Sequence, residues 1–297
     1  MAFLVGVDGG GTSCRAVIAT SEGARLGEGL AGSANIMTDL NSARDNILEA
    51  TGLAARQAGL SESRMSESAA VLGLAGANIG DNKSRIASLL PFRISHVETD
   101  ARIALHGALG ETNGGVAVVG TGSVFMSQNR GRIRSIGGWG FAVGDFCSGA
   151  RLGRTLLQDV LRAYDKVRPE SELARKVLAR FEDNPGTLVK YAQAAKPGDF
   201  SSFAPVLFEY ADRGDPVATE IVSSAVEDLE ENLRALIWAE ELPFCLLGGL
   251  APSYSKRLSG PFKKRERPPK GNALSGALSM AVSMFGQAHH GGVQNHG

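Results

Sequence analysis

The chain has 297 residues, of which 43% are hydrophobic and 21% are charged, and its 31 basic side chains balance 31 acidic ones. A formal net charge of zero argues against binding to nucleic acid or to a membrane surface through a bulk positive field. No run reaches the roughly 18–20 apolar residues of a membrane-spanning helix, and the three cysteines form no C-x-x-C pair. The length favours two domains, and a first strand that begins without a signal peptide favours the cytoplasm.

The first predicted element is a β-hairpin with a glycine-rich turn. Apolar runs over residues 3–7 and 16–19 flank the turn Asp8-Gly9-Gly10-Gly11-Thr12, a pattern typical of two paired strands. Because glycines lack Cβ atoms, their backbone N–H groups can close around a phosphate. The Asp8 carboxylate would repel that phosphate unless a cation lay between them. The turn therefore predicts either a Mg²⁺-nucleotide site, with Asp8 serving the metal, or a plain hairpin.

Residues 42–109 are predicted to alternate helices with strands. Helices are expected over 42–59, 81–90 and 102–109, and strands over 69–74 and 96–98. Asp100 lies after the second of these strands and ahead of the last helix. Two interpretations of Asp100 are possible. It is either a catalytic base or orienting carboxylate, or the cap of the helix that follows.

A second hairpin of the same kind follows roughly a hundred residues after the first, as expected of an internal duplication. Its turn, Gly120-Thr121-Gly122-Ser123, lies between the apolar runs Val116–Val119 and Val124–Met126. Neither turn has the spacing and lysine of a P-loop, nor the G-x-G-x-x-G fingerprint of dinucleotide sites. Two such turns facing each other could bind one polyphosphate from both sides.

A second glycine-dense region runs from Gly137 to Gly149 and contains Gly138, Trp139 and Asp145. A carboxylate that accepts paired hydroxyls beside an aromatic ring is typical of sugar pockets. The alternative is an irregular loop packed by its own aromatic side chains.

The remainder of the chain is predicted to be mainly helical. Helices are expected over 150–164, 170–181, 187–195, 216–241 and 273–285, with a strand over 244–247 that ends in Gly248-Gly249. Asp215 can cap the longest of these helices, and Pro216 fits its first turn. The basic run at 263–267 lies between prolines and is interpreted as a solvated loop. Strand hairpins with intervening helices give an α/β fold in two lobes with a cleft between them.

Together, these motifs and their order resemble the N-acetylglucosamine kinase family, which includes the activating ATPases of benzoyl-CoA reductase. The motifs are the Asp8–Thr12 turn, Ser33-Ala34-Asn35, Thr99-Asp100-Ala101, Gly120–Ser123, Gly137–Gly149, Leu247-Gly248-Gly249 and Gly271–Ala277. The resemblance implies the fold of acetate and sugar kinases, heat-shock proteins and actin, an actin-like ATPase fold with two duplicated ribonuclease-H-like domains and ATP in the interdomain cleft. The domains would span 1–110 with a returning helix 273–286, and 111–272, followed by a disordered tail 287–297.

The resemblance also implies a role for each matching residue. Asp8 would serve Mg²⁺, and Asp100 would act as the base toward the 6-hydroxyl of an amino sugar. The residues expected to bind ATP are Gly10, Gly11, Thr12, Thr121, Gly122, Ser123, Gly248 and Gly249. The residues expected to bind the sugar are Asn35, Asp100, Gly138, Trp139 and Asp145.

One departure from the family pattern affects the expected substrate. Similar kinases usually have Glu-Gly after the aspartate of the Gly-Asp motif, where this chain has Phe146-Cys147. The change removes an acceptor and leaves N-acetylglucosamine, glucosamine or a related amino sugar open. We expect a cytoplasmic homodimeric kinase that uses ATP and Mg²⁺ and binds neither nucleic acid nor a membrane. An activating ATPase of a reductase and a non-catalytic sugar sensor are the alternatives.

Overall fold

In a computed structural model of the protein, the described residues are 3–78, 80–237, 239 and 241–286. The strands within these ranges are β1 (Leu4–Gly9), β2 (Cys14–Ala19), β3 (Arg25–Ala31), β4 (Ala69–Leu74), β5 (Ile94–Thr99), β6 (Gly114–Val119), β7 (Ser123–Asn129), β8 (Arg132–Gly137) and β9 (Phe244–Leu247). The helices are α1 (Leu40–Gln57), α2 (Glu62–Ser66), α3 (Asn82–Ser88), α4 (Asp100–Leu109), α5 (Gly149–Tyr164), α6 (Glu172–Ala179), α7 (Pro185–Ala194), α8 (Pro197–Ser201), α9 (Ala204–Asp212), α10 (Pro216–Ile237), α11 (Ala251–Ser255), α12 (Gly260–Lys263) and α13 (Ala273–Phe285).

The described chain divides into two compact units. The first unit combines the residues up to Gly110 with those from Gly271 onward, and the second unit runs from Glu111 to Lys270. The helix α13 therefore belongs to the first unit, although it follows the second unit in sequence.

The first unit is built on a five-stranded sheet of order β3-β2-β1-β4-β5. The strands β1, β2 and β3 pair antiparallel, whereas β4 and β5 run parallel to β1. Gly9, Leu74 and Thr99, which end β1, β4 and β5, lie side by side in the register. The carboxyl ends of three parallel strands thus meet at one edge, the usual position of a ligand site in an open α/β sheet.

Helices cover both faces of this sheet. Buried side chains of α1, such as Ile47, pack against Val5 and Val7 on one face, and α13 contributes Leu278 to a separate cluster on the other face. A Cβ atom at Gly276 would lie 2.0 Å from the Ile103 carbonyl oxygen. Glycine at that position therefore allows α13 to pack closely against α4.

The second unit repeats the first four strands of this arrangement. Its sheet has the order β8-β7-β6-β9, with β9 parallel to β6 and the other pairs antiparallel. A single parallel bridge between Phe244 and Glu266 stands where the fifth strand would be. Val118 pairs with Leu247, so the turn after β6 and the glycines after β9 lie at the same edge of the sheet.

Most of the predicted elements are confirmed. Both hairpins form, and the strands predicted over 69–74 and 244–247 have those bounds in the structure. Asp215 caps α10 by accepting hydrogen bonds from Val217 N and Ala218 N, both at 3.1 Å. The helix expected over 216–241 is shorter in the structure and spans Pro216–Ile237. The strand β3 and the helices α2, α8, α9, α11 and α12 were not predicted. The expected tail at 287–297 lies outside the described residues.

The described helices include none that is long and apolar enough to cross a membrane.

Candidate active site

Two aspartates, Asp8 and Asp100, form the charged centre of the first unit. Asp8 lies near the end of β1, and Asp100 follows directly after β5. Burial, and next the negative charge of Asp100, raise the pKa of Asp8 to about 6, against a lowering by Arg15. Because β1 and β5 both run parallel to β4, they bring two carboxylates that are far apart in sequence to the same edge of the sheet, within electrostatic reach of each other. The two carboxylates create a local excess of negative charge that a cation would relieve.

Asp100 is the first residue of α4 and does not cap it. The hydroxyl of Thr99 accepts the hydrogen bond from Arg102 N at 3.1 Å and acts as the N-cap. The Oδ1 atom of Asp100 accepts from Ala101 N at 2.8 Å. Thr99 is thus the N-cap, while Asp100, an acidic residue in the first turn, accepts a second of the free N–H groups at the start of the helix.

The turn after β1 is held by backbone hydrogen bonds and is open to solvent at its tip. Gly10 N donates to Ser13 O at 2.9 Å, and Ala34 N donates to Gly10 O at 3.0 Å. Gly11 and Thr12 are exposed. A Cβ atom at Gly11 would meet no other atom within 4 Å, so the fold of this unit does not require glycine there.

Asn35 lies in the segment that borders this turn. Its Oδ1 atom accepts hydrogen bonds from Met37 N at 3.0 Å and Thr38 N at 3.3 Å. Because the amide oxygen is held by the backbone, the direction of the side-chain NH₂ group is fixed. That group is a donor suited to a sugar hydroxyl or carbonyl.

In the second unit, the turn after β6 is bonded to the start of α5. Gly120 N donates to Gly122 O at 2.9 Å, while Gly149 N and Ala150 N donate to the carbonyl oxygens of Gly120 and Thr121 at 2.8 and 3.2 Å. The turn is therefore held by the first residues of a sixteen-residue helix.

The Asp145 carboxylate lies directly against this turn. Its Oδ1 atom accepts from Ser123 N at 3.4 Å, and a Cβ atom at Gly122 would lie 3.0 Å from its Oδ2 atom. Burial raises the pKa of Asp145, and hydrogen bonds from the N–H groups of Ser123 and Gly140 lower it. The structure thus brings the predicted phosphate residues Thr121–Ser123 and the predicted sugar residue Asp145 together within one unit.

Asp145 and Cys147 adopt a backbone conformation that is unusual for residues with side chains. Their φ angles are 56° and 58°, in the left-handed region that costs a non-glycine residue about 1–2 kcal/mol. Two hydroxyls hold the segment. Ser123 Oγ donates to the carbonyl oxygen of Phe146 at 2.6 Å, and Tyr254 Oη donates to that of Cys147 at 2.5 Å.

The aromatic side chains of the 137–149 loop have different environments. Phe141 packs against Phe200 with ring centroids 5.2 Å apart, which fits the interpretation of a loop packed by its own aromatics. Trp139 and Phe146 are instead 65% and 46% exposed, and the Arg151 guanidinium lies 5.5 Å from the Phe146 ring centroid. The aromatic ring at position 141 is therefore accounted for by packing within the protein. The rings of Trp139 and Phe146 are exposed and available to a ligand.

The backbone N–H of Gly138, another predicted sugar residue, donates to Ser123 O at 3.2 Å. This bond places Gly138 beside the turn after β6.

The two glycines after β9 differ in what they do for the fold. Gly248 has a φ of 91°, and a Cβ atom there would lie 2.3 Å from the Val119 carbonyl oxygen. A Cβ atom at Gly249 would meet no atom within 4 Å. Gly248 is therefore required by the close approach of its own backbone to β6, whereas Gly249 leaves space.

Each unit thus gathers one set of the predicted site residues. The first unit holds Asp8, Gly10–Thr12, Asn35 and Asp100, and the second holds Thr121–Ser123, Gly138, Trp139, Asp145 and the two glycines after β9. The contribution of Tyr254 was not predicted, since its hydrogen bond spans 107 residues and no local pattern marks it.

Comparison with protein families places the chain in a known group of ATPases. The model of the BadF/BadG/BcrA/BcrD ATPase family matches residues 5–266. The glucosamine kinase GspK of Vibrio cholerae is 36% identical over 283 residues, which cover 95% of this chain and 96% of that protein. An N-acetyl-D-glucosamine kinase of Dictyostelium discoideum is 28% identical over 83% of this chain and 85% of its own length.

Solved structures show the same fold. A candidate N-acetylglucosamine kinase from Chromobacterium violaceum superposes with a TM-score of 0.89 and 32% identity, covering 95% of this chain and 99% of that one. A ROK family glucokinase from Streptomyces griseus, in complex with glucose and AMPPNP, gives a TM-score of 0.57 at 18% identity over 95% of this chain and all of that one. These likenesses confirm the expected α/β fold with ribonuclease-H-like units.

Proposed function

Because this chain belongs to the BadF/BadG/BcrA/BcrD ATPase family, we propose that it is an ATP-dependent amino-sugar kinase. The reaction transfers the γ-phosphate of ATP to the 6-hydroxyl of N-acetylglucosamine or glucosamine. The observation that carries the proposal is the Asp8–Asp100 pair at the carboxyl edge of three parallel strands, beside an open glycine turn. Relatives with amino-sugar kinase names across nearly the whole chain support the substrate class.

In this proposal, Asp100 accepts the proton of the attacking hydroxyl. A carboxylate suits that task because phosphoryl transfer needs a group that orients the nucleophile and removes its proton. The two turns Gly10–Thr12 and Thr121–Ser123 bind the phosphates through their backbone N–H groups, apart from those of Gly10 and Ser123, which donate to Ser13 O and to Asp145 Oδ1 and hold the turns. The glycines Gly248 and Gly249 lie next to the adenine and ribose.

Asp8 would hold Mg²⁺ together with the nucleotide phosphates. The chemistry of the site fits this ion, because the half-buried Asp8 carboxylate feels the second negative charge of Asp100 and is only partly compensated by Arg15. Within the described residues, no three His, Cys, Asp or Glu side chains converge as an all-protein cage. A nucleotide-borne Mg²⁺ needs only one or two carboxylates and keeps several waters. When bound, the ion would neutralise charge on the transferred phosphoryl group.

The sugar is bound by Asn35, Asp100, Gly138, Trp139 and Asp145. The carboxylate of Asp145 accepts hydroxyl hydrogen bonds, and the exposed Trp139 ring offers an apolar face to the sugar. Phe146 occupies the position where an acidic side chain is usual. We propose that its ring, with Arg151 over it, borders the substituent on the second carbon of the sugar. The enzyme acts as a cytoplasmic homodimer and binds neither nucleic acid nor a membrane.

The environment of the cysteines disfavours the activating-ATPase alternative. Cys14 and Cys147 are buried, and burial raises the pKa of Cys14 to about 12. A bridging iron–sulfur cluster needs accessible thiolates. Neither thiol meets that requirement.

A screen of ADP release tests the proposal. The purified protein with ATP and Mg²⁺ should release ADP with glucosamine or N-acetylglucosamine and give the 6-phosphate by mass spectrometry. N-acetylmannosamine, N-acetylmuramate and glucose are the comparison acceptors. ADP release without any dependence on sugar would favour an activating ATPase, and sugar binding without ADP release would favour a sensor.

A further inference from the structure

We propose that Tyr254 is a positioning residue, whose hydroxyl holds the Asp145–Cys147 segment through the Cys147 carbonyl oxygen. The hydroxyl acts through this backbone and keeps the Asp145 carboxylate against the turn at Thr121–Ser123. The part of this inference that concerns sugar affinity rests on the proposed function.

The segment needs support because two of its three residues are in the left-handed region. Asp145 and Cys147 have φ angles of 56° and 58°, and residues with a Cβ atom remain there only when their surroundings impose it. Each carbonyl oxygen of the segment is bonded. The carbonyl oxygen of Asp145 accepts a hydrogen bond from Ser148 N at 3.1 Å. The carbonyl oxygen of Phe146 accepts from Ser123 Oγ at 2.6 Å, and the carbonyl oxygen of Cys147 accepts from Tyr254 Oη at 2.5 Å.

Tyr254 is itself held rigidly. Its side chain is fully buried, and its ring meets the Phe208 ring edge-on with centroids 5.3 Å apart. It lies on α11, whose preceding residue Leu250 donates from its backbone N to Val119 O at 3.1 Å. The phenol is therefore fixed relative to the end of β6, where the second turn begins.

The phenol remains a donor at neutral pH. Burial raises the pKa of Tyr254 well above its usual value, and the neighbouring Cys147 and Asp228 raise it further, against a lowering by Arg257. A neutral phenol donates its one proton, and the Cys147 carbonyl accepts it.

The residue type at position 147 gives this contact its importance. Glycine adopts a positive φ without strain, whereas the Cβ atom of Cys147 makes its φ of 58° unfavourable. The hydrogen bond from Tyr254 to the Cys147 carbonyl oxygen helps to offset this conformational cost.

Tyr254→Phe tests the proposal, because it removes the hydroxyl and keeps the ring. We expect amide hydrogens of residues 144–150 to exchange faster in the variant. We also expect the Kd for the amino sugar, measured by titration calorimetry, to rise about fivefold, because sugar binding must then order the segment that the lost hydrogen bond held. The nucleotide Kd should stay within about twofold. Tyr210→Phe is the matched control, since that buried tyrosine donates to the Glu172 side chain at 3.1 Å, away from the segment, and it should change neither readout.

Substitutions at Cys147 show whether the effect of Tyr254→Phe comes from the strained backbone conformation at position 147 or from the packing of the Cys147 side chain. In the Tyr254→Phe background, Cys147→Gly should return the sugar Kd to within about twofold of the wild-type value, because glycine removes the strained Cβ atom. Cys147→Ala removes the sulfur but keeps the Cβ atom, and it should give no rescue. Equal rescue by both substitutions would overturn the proposal.

Two further results would also overturn it. One is unchanged exchange over residues 144–150 in Tyr254→Phe, and the other is faster exchange with an unchanged sugar Kd. If the wild-type protein binds no amino sugar, the proposed function fails. The exchange measurement then still decides whether Tyr254 holds the segment.

Discussion

The turn after β1 and the turn after β6 occupy equivalent places in two copies of one hairpin, yet they are stabilised differently. The first turn is open at Gly11 and lies beside Asp8, a carboxylate whose pKa is raised to about 6 by burial and by Asp100. The second turn is bonded to the start of α5 and carries the Asp145 carboxylate, whose charge is partly offset by N–H groups of Ser123 and Gly140.

This difference shows how a duplicated unit can specialise. In the first unit, the negative charge of Asp8 and Asp100 is only partly compensated, as the proposed roles in binding a cation and removing a proton require. In the second unit, hydrogen bonds fix a loop that presents a carboxylate. If the proposed function holds, the same strand order carries the reacting carboxylates in one half and a rigid carboxylate-bearing loop in the other, and substitutions in the two halves should have different consequences.

The largest difference is expected between the two carboxylates Asp100 and Asp145. Asp100→Asn keeps hydrogen-bonding capacity but removes the base, so kcat should fall about 10²–10⁴-fold with little change in sugar Kd. Asp145→Asn should raise the sugar Kd and leave the nucleotide Kd nearly unchanged. Steady-state kinetics and titration calorimetry with both ligands measure these effects.

Glu98→Gln is the control for Asp100→Asn, because Glu98 is a neighbouring carboxylate that pairs with Lys83 at 3.0 Å. It should leave kcat close to the wild-type value. An Asp100→Asn enzyme within a few-fold of wild type would show that Asp100 is not the base. The two halves would then not differ in the way described.

The second test compares glycines of the two units by their effect on folding. Gly248→Ala introduces a Cβ atom 2.3 Å from Val119 O at a φ of 91°, and it should lower the free energy of unfolding by about 2–4 kcal/mol. Gly11→Ala meets open space at an ordinary φ, so stability should be unchanged or rise by up to about 1 kcal/mol. The nucleotide Kd of Gly11→Ala should nevertheless rise, since the methyl group would occupy space intended for phosphate.

Urea unfolding and nucleotide titration of both variants decide this comparison. A Gly11→Ala protein that binds nucleotide like the wild type would show that the first turn does not contact phosphate.

The sequence predicted those parts of the fold that depend on local patterns. The hairpins and the buried strands follow from apolar runs with glycine turns, and α10 follows from its periodicity and its Asp215 cap. The strand β3 was missed because it contains Gly27 and Gly29, which are unfavourable in strands. A Cβ atom at these positions would lie 2.2 and 2.0 Å from carbonyl oxygens of α1. Glycine is needed at these two positions because α1 packs closely against β3, and this long-range contact cannot be seen in the local sequence of the strand.

The same limit applied to the candidate site. Asp8, Asp100 and Asp145 could be predicted as site residues because each lies at a strand end or among glycines. The capping role of Thr99 and the hydrogen bond from Tyr254 to Cys147 became visible only in three dimensions, because they depend on which segments pack together.

The smallest expected effect concerns the electrostatic cost of Asp8. Its pKa in the folded protein is about 6, against an ordinary value of 3.8, so the folded state binds the proton more tightly than the unfolded state. The free energy of unfolding should therefore fall as pH rises from about 4 to about 6. A shift of this size corresponds to at most about 3 kcal/mol, and the partial exposure of Asp8 reduces that figure. Without metal or nucleotide, Asp8→Asn should be about 1–2 kcal/mol more stable than the wild type at pH 7, with the gain lost below about pH 4.

Urea unfolding at pH 4 and pH 7 checks this expectation, with two variants for comparison. Asp45→Asn alters an exposed carboxylate beside Arg44 and should change stability little at either pH. Asp145→Asn should gain less than Asp8→Asn, because the N–H groups of Ser123 and Gly140 already offset the Asp145 charge. If Asp8→Asn were instead less stable than the wild type at pH 7, Arg15 would be compensating the Asp8 carboxylate in full. The first turn would then carry no uncompensated charge for a cation to relieve. The two halves would differ only in that the first turn is open at Gly11 and the second is bonded to the start of α5.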